Sequence, residues 1–543
     1  KLPGMLLQQL YPHLVAAKPS MAIVECDVDG YGANFADGYT LPENKGMEPI
    51  NLNADPEDAE KLRLCRFSTT YDTRLWPLKV EGVFKEPSNN HANIEQQFPN
   101  SQSLLRIAIG ESDEGAAEGL NLDSPLRFFI NLEEQHRFRL YDLLARHVVG
   151  VALLNQSGEV VKTLDRSAFN LCGFDDQERL FPYDPSQELG FTLLQDYFAF
   201  PEKFLFFEIS GFEDWVFPSK GDSEKNQFHI MLILDESIPA NIPLGKNTFK
   251  LNCCPVINLF EKTSEPIPVH TKEYRYRLLA SRDNFDAYEV FKINRLFSVD
   301  RKGEQRELVP YFSPDRRDNL GNDYRWVSQL EESHRRNLSG NETWISLFNL
   351  QLDKDAPIGE TIFAETLSCN RTMCESLPVG QQLEVIGSAP LKSVRLLTRP
   401  SRYRPGNQSS IRQWQLLSHL SLYHISLSQG ETARDALRST LELYVRSDDM
   451  IGQRQIESIE EVTASEDLAP SKLGGWRGYY RGTKYGLTLN ERRFEGSPVL
   501  FGTVVHHFFA LFCHINSFSA LELKLGSRRV FSWKPMTGHK ILA

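Results

Sequence analysis

The chain has 543 residues, of which 41% are hydrophobic, 24% are charged and 11% are aromatic, and these values are typical of globular proteins. The length predicts about three to four domains. The net charge of −12 argues against nucleic-acid binding, since proteins that bind nucleic acid usually carry a basic surface. The composition therefore favours a chain whose partners are other proteins.

Residues 1–15 predict the end of an apolar helix, with residues 5–10 as its helical part, and a turn and a buried strand follow. Leu6, Leu7 and Leu10 fall on one helical face. Pro12 disfavours helix at the residue before it, and Pro19 starts a turn that precedes β-favouring residues. Because so short a helix is not stable alone, its leucine face needs other helices.

Residues 16–265 predict a β-rich domain with inserted helices, because runs rich in Phe, Ile, Val and Tyr are separated by Gly, Pro, Asp and Asn. The predicted strands are residues 21–28, 61–71, 75–84, 104–109, 148–155, 160–164, 204–209, 228–234 and 249–259. The predicted helices are residues 133–146 and 189–198, and the second stops before Pro201.

Residues 266–405 predict a second β-rich domain. Its predicted strands are residues 274–279, 288–296, 344–352, 362–367 and 394–397. The charged stretch 300–329 predicts an exposed excursion or long loop, and residues 398–410, rich in Arg, Pro, Ser and Gly, predict a linker.

Residues 406–543 predict an α+β domain. The predicted helices are residues 411–425, 432–446 and 499–515, and the predicted strands are residues 455–462 and 485–489. The most apolar run, residues 499–513, is shorter than the roughly twenty residues that a membrane span needs, so it predicts a buried helix and no membrane insertion. Strands in runs with few helices favour antiparallel, sandwich-like sheets over a doubly wound fold.

No sequence motif predicts catalysis, a metal site or a cofactor. Phosphate-binding loops, the nucleophile elbow and the His-Glu-x-x-His motif are absent from the sequence. His506, His507 and His514 lack a nearby carboxylate and predict core or interface histidines, while His419 and His424 fall on different helical faces. A turn and helix cap best explain Asp175-Asp176.

The eight cysteines predict a reducing, cytosolic compartment. Cys369 and Cys374 lack the second Cys/His pair that a zinc site requires. The vicinal pair Cys253-Cys254 cannot easily form a disulfide with itself. Four others lie singly and predict small core side chains: Cys26, Cys65, Cys172 and Cys513.

The aromatic residues are concentrated in one run. Residues 197–207 contain five Phe and one Tyr, which predicts a segment that is buried on both faces. Both faces could be covered within one domain, or one face could form a subunit interface, since large permanent interfaces resemble a domain core.

Seven segments together resemble the TssF (VasA/ImpG) family of type VI secretion baseplate subunits, in the family's order. They are Leu10-Tyr11-Pro12-His13 with Lys18-Pro19-Ser20-Met21, Trp76-Pro77-Leu78, Gly173-Phe174-Asp175-Asp176 with Leu180-Phe181-Pro182-Tyr183, residues 194–204, residues 252–260, residues 414–422, and Phe501-Gly502 with residues 515–518. The family would begin with a longer helical segment than the one that precedes Pro12 here.

The resemblance implies a structural wedge subunit that is not an enzyme and transmits the trigger for contraction. It implies assembly with TssG, a second TssF copy, TssK and TssE, and contact with the spike hub (VgrG), the sheath and other baseplate components. It also implies an N-terminal segment in a shared helical bundle, and a cytoplasmic location at the inner face of the inner membrane, reached through other subunits.

Two other classes stay open from the residues alone: a β-sandwich carbohydrate-active enzyme and a phage-tail-like structural or receptor-binding protein. The first would need a cleft with convergent carboxylates, and the second would usually show sequence repeats. The predicted interface residues combine an apolar face with an aromatic and basic segment, because such side chains anchor interfaces. They are Leu6, Leu7, Leu10, Tyr11, Trp476, Arg477, Tyr479 and Tyr480.

Overall fold

The structure is a computed structural model. It describes residues 15–51, 53, 55–117, 120–182, 187–212, 227–270, 273–311, 324–335, 338–349, 360–406, 431–446, 448–470, 479–513 and 517–537. The predicted helices at residues 5–10 and 411–425 lie outside these ranges.

Strands make up most of the regular structure. In chain order they are β1 Met21–Val28, β2 Tyr39–Leu41, β3 Gly46–Pro49, β4 Phe67–Thr69, β5 Thr73–Leu75, β6 Leu78–Pro87, β7 Ser103–Glu111, β8 Leu126–Ile130, β9 Val148–Leu154, β10 Val160–Asp165, β11 Phe169–Leu171, β12 Phe206–Ile209, β13 Gln227–Leu234, β14 Phe249–Lys250, β15 Cys253–Ile257, β16 Phe260–Thr263, β17 Ile267–Pro268, β18 Tyr276–Leu278, β19 Glu289–Val299, β20 Gln305–Pro310, β21 Tyr324–Glu332, β22 Asn341–Asn349, β23 Thr361–Cys369, β24 Gln382–Val385, β25 Leu391–Leu396, β26 Ile459–Pro470, β27 Tyr479–Leu489, β28 Ser517–Leu525, β29 Arg528–Ser532 and β30 Met536–Thr537.

Fewer residues are helical. The described α-helices are α1 Pro56–Leu62, α2 Ala92–Gln97, α3 Glu134–His147, α4 Leu189–Ala199, α5 Glu431–Glu442, α6 Met450–Glu457 and α7 Pro498–Ala510. Short 3₁₀ turns occupy Ser88–Asn90, Arg166–Ala168, Asp176–Glu178, Pro201–Phe204 and Met373–Ser376. The β-rich α+β class predicted from the sequence is confirmed.

Strand β1 lies between two hydrophobic cores and contributes side chains to both. Its even-numbered side chains, such as Val24 and Cys26, point into a closed barrel, while Met21 and Ile23 face the largest core of the chain. This division follows from the two-residue period of a strand. In β15 the same alternation sends Cys254 into the barrel and Cys253 to the other side.

The barrel closes in the order β1-β15-β4-β3-β24-β25. Strand β1 contacts β15 on one side and β25 on the other, with Val24 opposite both Cys254 and Leu396. The barrel therefore contains strands from before and after residue 265. The domain boundaries predicted from the sequence stay a prediction.

The apolar run that forms strand β13 is buried on both faces of its sheet. In the sheet β10-β9-β13-β7-β6, its even-numbered residues Phe228, Ile230 and Leu232 join the largest core. Met231 and Ile233 face a smaller cluster that includes Ile94 of α2. A third sheet, β11-β12-β8-β14, contributes Phe128 and Phe207 to the largest core.

An eight-stranded sheet follows, with the order β16-β23-β19-β20-β21-β22-β18 and with β17 paired to β23. Of the two predictions for residues 300–329, the long loop is wrong over the described residues, because β20 and the first part of β21 lie there, whereas the exposure of β20 agrees with an exposed excursion. Strand β20 pairs with both β19 and β21, although most of its side chains are exposed. Backbone pairing therefore outweighs the polar composition that indicated a loop.

The last sheet has the order β26-β27-β28-β29, with β30 paired to β28. Helix α7 packs on this sheet and on α4, where Phe508 lies 6.0 Å from Phe191 and Phe501 lies 5.8 Å from Tyr197 between ring centroids. Residues of this last region and of the first 260 residues belong to one continuous core.

Several predicted boundaries need correction. Residues 61–71 contain the end of α1 and then β4, because Pro56 and the acidic first turn start a helix. Residues 455–462 contain the end of α6, whose N-cap Asp449 accepts from the Gly452 N–H at 3.0 Å. The strand predicted for residues 75–84 is two strands, β5 and β6.

Further differences concern strand ends and sheet type. Phe204 belongs to a 3₁₀ turn before β12, residues 249–259 are divided between β14 and β15, and α7 ends at Ala510. One sheet is a closed barrel and not a sandwich layer. The pairing of the described strands is antiparallel except for β20–β21 and β27–β28, which are parallel.

Two buried asparagines connect the barrel region to the eight-stranded sheet. The Asn258 side chain donates to the Asn370 side chain at 2.7 Å and accepts from the Asn370 backbone N–H at 2.7 Å. Asn370 also donates to the carbonyl oxygens of Leu64 and Ala287 and accepts from the Arg66 N–H. Four separated chain segments are thereby held together by hydrogen bonds.

A buried ion pair continues this network. Arg371 lies 3.2 Å from Glu289, donates to the carbonyl oxygens of Ser339 and Asn341, and has a left-handed φ of 52°. The Tyr403 hydroxyl donates to Glu289. Burial raises the pKa of Glu289, and Arg371 opposes that rise.

We expect Asn370→Ala to lower the free energy of unfolding by about 2–4 kcal/mol, because it leaves several buried backbone groups without partners. Chemical denaturation measures the loss. Asn93→Ala, on the exposed side of α2, is the matched control and should change stability by less than about 0.5 kcal/mol. Equal effects of the two substitutions would contradict the structural role of Asn370.

Candidate functional site

The predicted interface residues fall in two places. Leu6, Leu7, Leu10 and Tyr11, together with Trp476 and Arg477, lie outside the described residues. Tyr479 and Tyr480 are the first residues of β27, and the Tyr479 side chain is 74% exposed.

Strands β26 and β27 pair with each other as far as Pro470 and Tyr479, and β26 lies at the edge of its sheet. Among the described residues, β28 pairs with β27 from Arg481 onward. We call residues 465–470 and 479–481 the outer ribbon. Residues 465–468 are all exposed.

The outer ribbon continues the core-facing side of the hairpin. Val462 and Leu487, opposite each other, are buried on that side. By the strand alternation, Leu468 and Tyr479 lie on the same side, yet Leu468 is 60% exposed. An aromatic ring, a leucine and Arg481 on one exposed face have the composition of an interface anchor.

The aromatic run at residues 197–207 is buried inside the chain. Phe207 lies 5.2 Å from Phe128 and 5.0 Å from Phe249 between ring centroids, and Phe204 lies 5.0 Å from Phe174. The reading in which one chain covers both faces is therefore the correct one. Within this run Lys203 forms a fully buried ion pair with Asp196.

The adjacent histidines of α7 lie in two different environments. The His506 ring is 3.1 Å from the Lys534 carbonyl oxygen, whereas the His507 ring stacks on Phe174 at 5.6 Å. Burial lowers the pKa of both to about 4. His514 lies outside the described residues. These two side chains are packed parts of the fold.

The cysteines are all buried as free thiols. Burial raises the pKa of Cys369 and of Cys374, and Cys374 also hydrogen-bonds to Cys65. Residues Asp175 and Asp176 start a 3₁₀ turn, in which Glu178 accepts from the Gly173 N–H at 2.7 Å. In the ranges that the structure covers, no group of three or more His, Cys, Asp or Glu side chains is placed to hold a metal ion.

Asp142 joins α3 to the start of α7. The Ser497 hydroxyl donates to the Asp142 carboxylate and accepts from the Leu500 N–H at 2.9 Å, which makes Ser497 the N-cap of α7. Burial raises the pKa of Asp142 to about 7, although hydrogen bonds from Ser497 and Val499 oppose the rise.

Sequence reasoning missed the polar residues that hold the fold together. Asn258 lies between Ile257 and Leu259, and Asn370 follows Cys369, so each is an asparagine next to buried apolar residues. That pattern was a visible signal, because buried amides need partners. The partners themselves lie between 83 and 306 residues away along the chain.

Comparison with known proteins identifies the family. The family model described as "Type VI secretion system, TssF" matches residues 1–540, so the chain belongs to the TssF family of type VI secretion systems. The curated Pseudomonas aeruginosa protein "Type VI secretion system component TssF1" is 26% identical over 564 aligned positions, which cover 98% of this chain and 88% of that protein.

Solved structures share the fold. A chain of the type VI secretion system TssK-TssF-TssG baseplate subcomplex, determined by cryo-electron microscopy, matches with a TM-score of 0.76 and 23% identity over 99% of this chain and 95% of that chain. A chain of the type VI secretion baseplate complex matches with a TM-score of 0.60 and 21% identity over 98% and 88%. Among the helices described in our structure, none has the length and apolar character of a membrane span.

We expect Asp142 to make stability depend on pH. Because the folded state raises its pKa from 3.8 to about 7, the folded state binds the proton more tightly. The contribution to stability is thus fully present below pH 3.8 and is lost as the pH rises through about 7. Asp142→Asn should therefore become more stable relative to the parent as the pH rises across this window.

Denaturation of both proteins at each pH measures the difference. His506 and His507 have lowered pKa values and act in the opposite direction, but they are the same in both proteins and cancel. Asp123→Asn, on an exposed loop, is the control and should show a constant difference. A constant difference for Asp142→Asn would contradict the raised pKa.

Proposed function

We propose that the chain is a structural subunit of a type VI secretion baseplate that assembles with TssG and TssK. The observation that carries this proposal is the fold match over 99% of the chain to a chain of the TssK-TssF-TssG subcomplex, together with membership of the TssF family. The role is mechanical: the subunit holds other subunits in fixed positions and is not an enzyme.

The finer partners extend the same proposal. The chain pairs with a second copy of itself on one TssG, and the wedge contacts TssE, the spike hub (VgrG) and the sheath. Through other subunits the wedge docks, in the cytoplasm, at the inner face of the inner membrane. These assignments derive from the family resemblance.

Two surfaces are proposed for this assembly. The N-terminal leucine face enters a helical bundle shared with TssG and a second copy, since an apolar helical face needs other helices to cover it. The outer ribbon contacts a subunit beyond its own wedge, which joins wedges into a ring. The support for the second assignment is its exposed Leu468 and Tyr479.

Replacing Leu6, Leu7 and Leu10 by Asp should abolish co-purification with TssG, because three carboxylates cannot be buried in a helical bundle without partners. Co-expression and affinity purification measure the bound TssG. The control, Val161→Asp with Tyr274→Asp and Val379→Asp, changes three exposed apolar residues elsewhere and should retain TssG. Retention of TssG at normal yield by the leucine variant would count against the bundle.

Replacing Leu468 and Tyr479 by Asp should leave the isolated wedge intact and block assembly of wedges into rings. Point substitutions are preferred to removal of residues 411–543, since α7 covers α4 and its loss would expose the core. Electron microscopy of purified particles measures ring formation. Tyr274→Asp, which changes a similarly exposed tyrosine in the segment before β18, should build complete rings. Rings of normal yield with the ribbon variant would refute the assignment.

A further inference from the structure

A cleft with a volume of about 350 Å³ lies where the barrel meets strands β6 and β14. Five cationic side chains line it, and we call it the basic cleft: Lys79, Lys246, Lys250, Lys392 and Arg395. They come from three distant parts of the sequence. Five cations around one cleft contrast with the net charge of −12 of the whole chain.

Three carboxylates form ion pairs with these cations. Glu25 lies 3.3 Å from Lys250 and 3.1 Å from Arg395, and Glu81 lies 3.5 Å from Lys79 and 3.8 Å from Lys246. Asp113 pairs with Lys392.

The two signs of charge differ in exposure. The side chains of the three carboxylates are 16–23% exposed, whereas those of the four outer cations, all except Lys250, are 42–63% exposed. Asp27 is the exposed carboxylate of the lining. The most exposed charged side chains of the cleft are therefore these four cations and Asp27.

The existing ion pairs leave these cations able to bind a ligand. Ion pairs between exposed side chains contribute only about 0–1 kcal/mol, so they hold the lysines weakly. An ammonium group has three N–H donors, and within the described ranges Lys246 and Lys392 each form an ion pair with one carboxylate. These ammonium groups can therefore donate to carboxylates of a ligand while their ion pairs with Glu81 and Asp113 remain intact.

The grouping of the cations favours a ligand with several acidic groups. Lys250 and Arg395 meet at Glu25, Lys79 and Lys246 meet at Glu81, and Lys392 pairs with Asp113. The cations therefore form three groups, each around its own carboxylate. Alternate side chains of an extended peptide are about 7 Å apart, so two acidic side chains of one segment can contact different groups.

We propose that the basic cleft binds an extended segment of a partner protein through the Asp and Glu side chains of that segment. The inference deepens the proposed function, on which it rests for the partner's being a baseplate subunit, by assigning the chemistry of the contact. Complementary charge speeds association and selects the partner, so binding should weaken as salt is added.

The test uses the purified full chain and a fluorescent hexaglutamate peptide, with binding measured by anisotropy at low and high salt. Lys246→Glu with Lys392→Glu should weaken binding at least about tenfold, because two attractive contacts become repulsive. Lys61→Glu with Lys302→Glu makes the same change in net charge at exposed positions outside the cleft and should change affinity by less than about twofold. The milder pair Lys246→Gln and Lys392→Gln should weaken binding by an intermediate factor, and it serves if the glutamate variant unfolds.

Two binding results would overturn the proposal: no binding by the parent, or equal weakening by the control pair. A third would be displacement of the labelled peptide by inorganic pyrophosphate at a lower concentration than unlabelled peptide needs, which would indicate a small-anion site. Co-purification with TssG and TssK is scored separately. A parent that binds the peptide but not these subunits would contradict the proposed function alone. A parent that binds the subunits but not the peptide would contradict the basic cleft alone.

Discussion

The hydrogen bonds between Asn258 and Asn370 are the interaction on which the arrangement of the barrel and the eight-stranded sheet depends. Asn258 follows β15 and Asn370 follows β23, so the pair fixes the ends of two strands that belong to different sheets. A buried amide stabilises a fold only when all its polar atoms have partners, and here the partners include backbone groups of Leu64 and Ala287. A displacement of one sheet relative to the other would break several of these hydrogen bonds at once.

Around that junction, strand alternation lets single strands belong to two cores. The inward residues of β1 and β15 fill the barrel, and their outward residues fill the main core, to which α7 also contributes. The largest core runs from the first strand to the last sheet, whereas the eight-stranded sheet has a core of its own.

The proposed contacts lie where this packing ends. The outer ribbon extends the buried face of its hairpin into solvent, and the basic cleft lies at the rim of the barrel. The two surfaces differ in physics: the ribbon offers apolar and aromatic area, whereas the cleft offers charge. Because screening limits surface electrostatics to about 8 Å at physiological salt, the exposed cations of the cleft can act on a ligand in contact with them despite the negative charge of the chain.

The sequence by itself determined the β-rich class, the family, and elements such as β1, α3 and α4, because a strand or helix period is written in neighbouring residues. Sequence patterns did not predict β20, because its charged side chains are typical of a loop and only backbone pairing with neighbouring strands holds it. They also did not predict α6, although its N-cap Asp449 is of a residue type that favours this position. Only the tertiary structure decided the closure of the barrel, the partners of Asn370 and the collection of cations in the basic cleft. Each of these joins residues far apart in sequence, such as Val24 with Leu396, and no local pattern records which distant segment a strand will pair with.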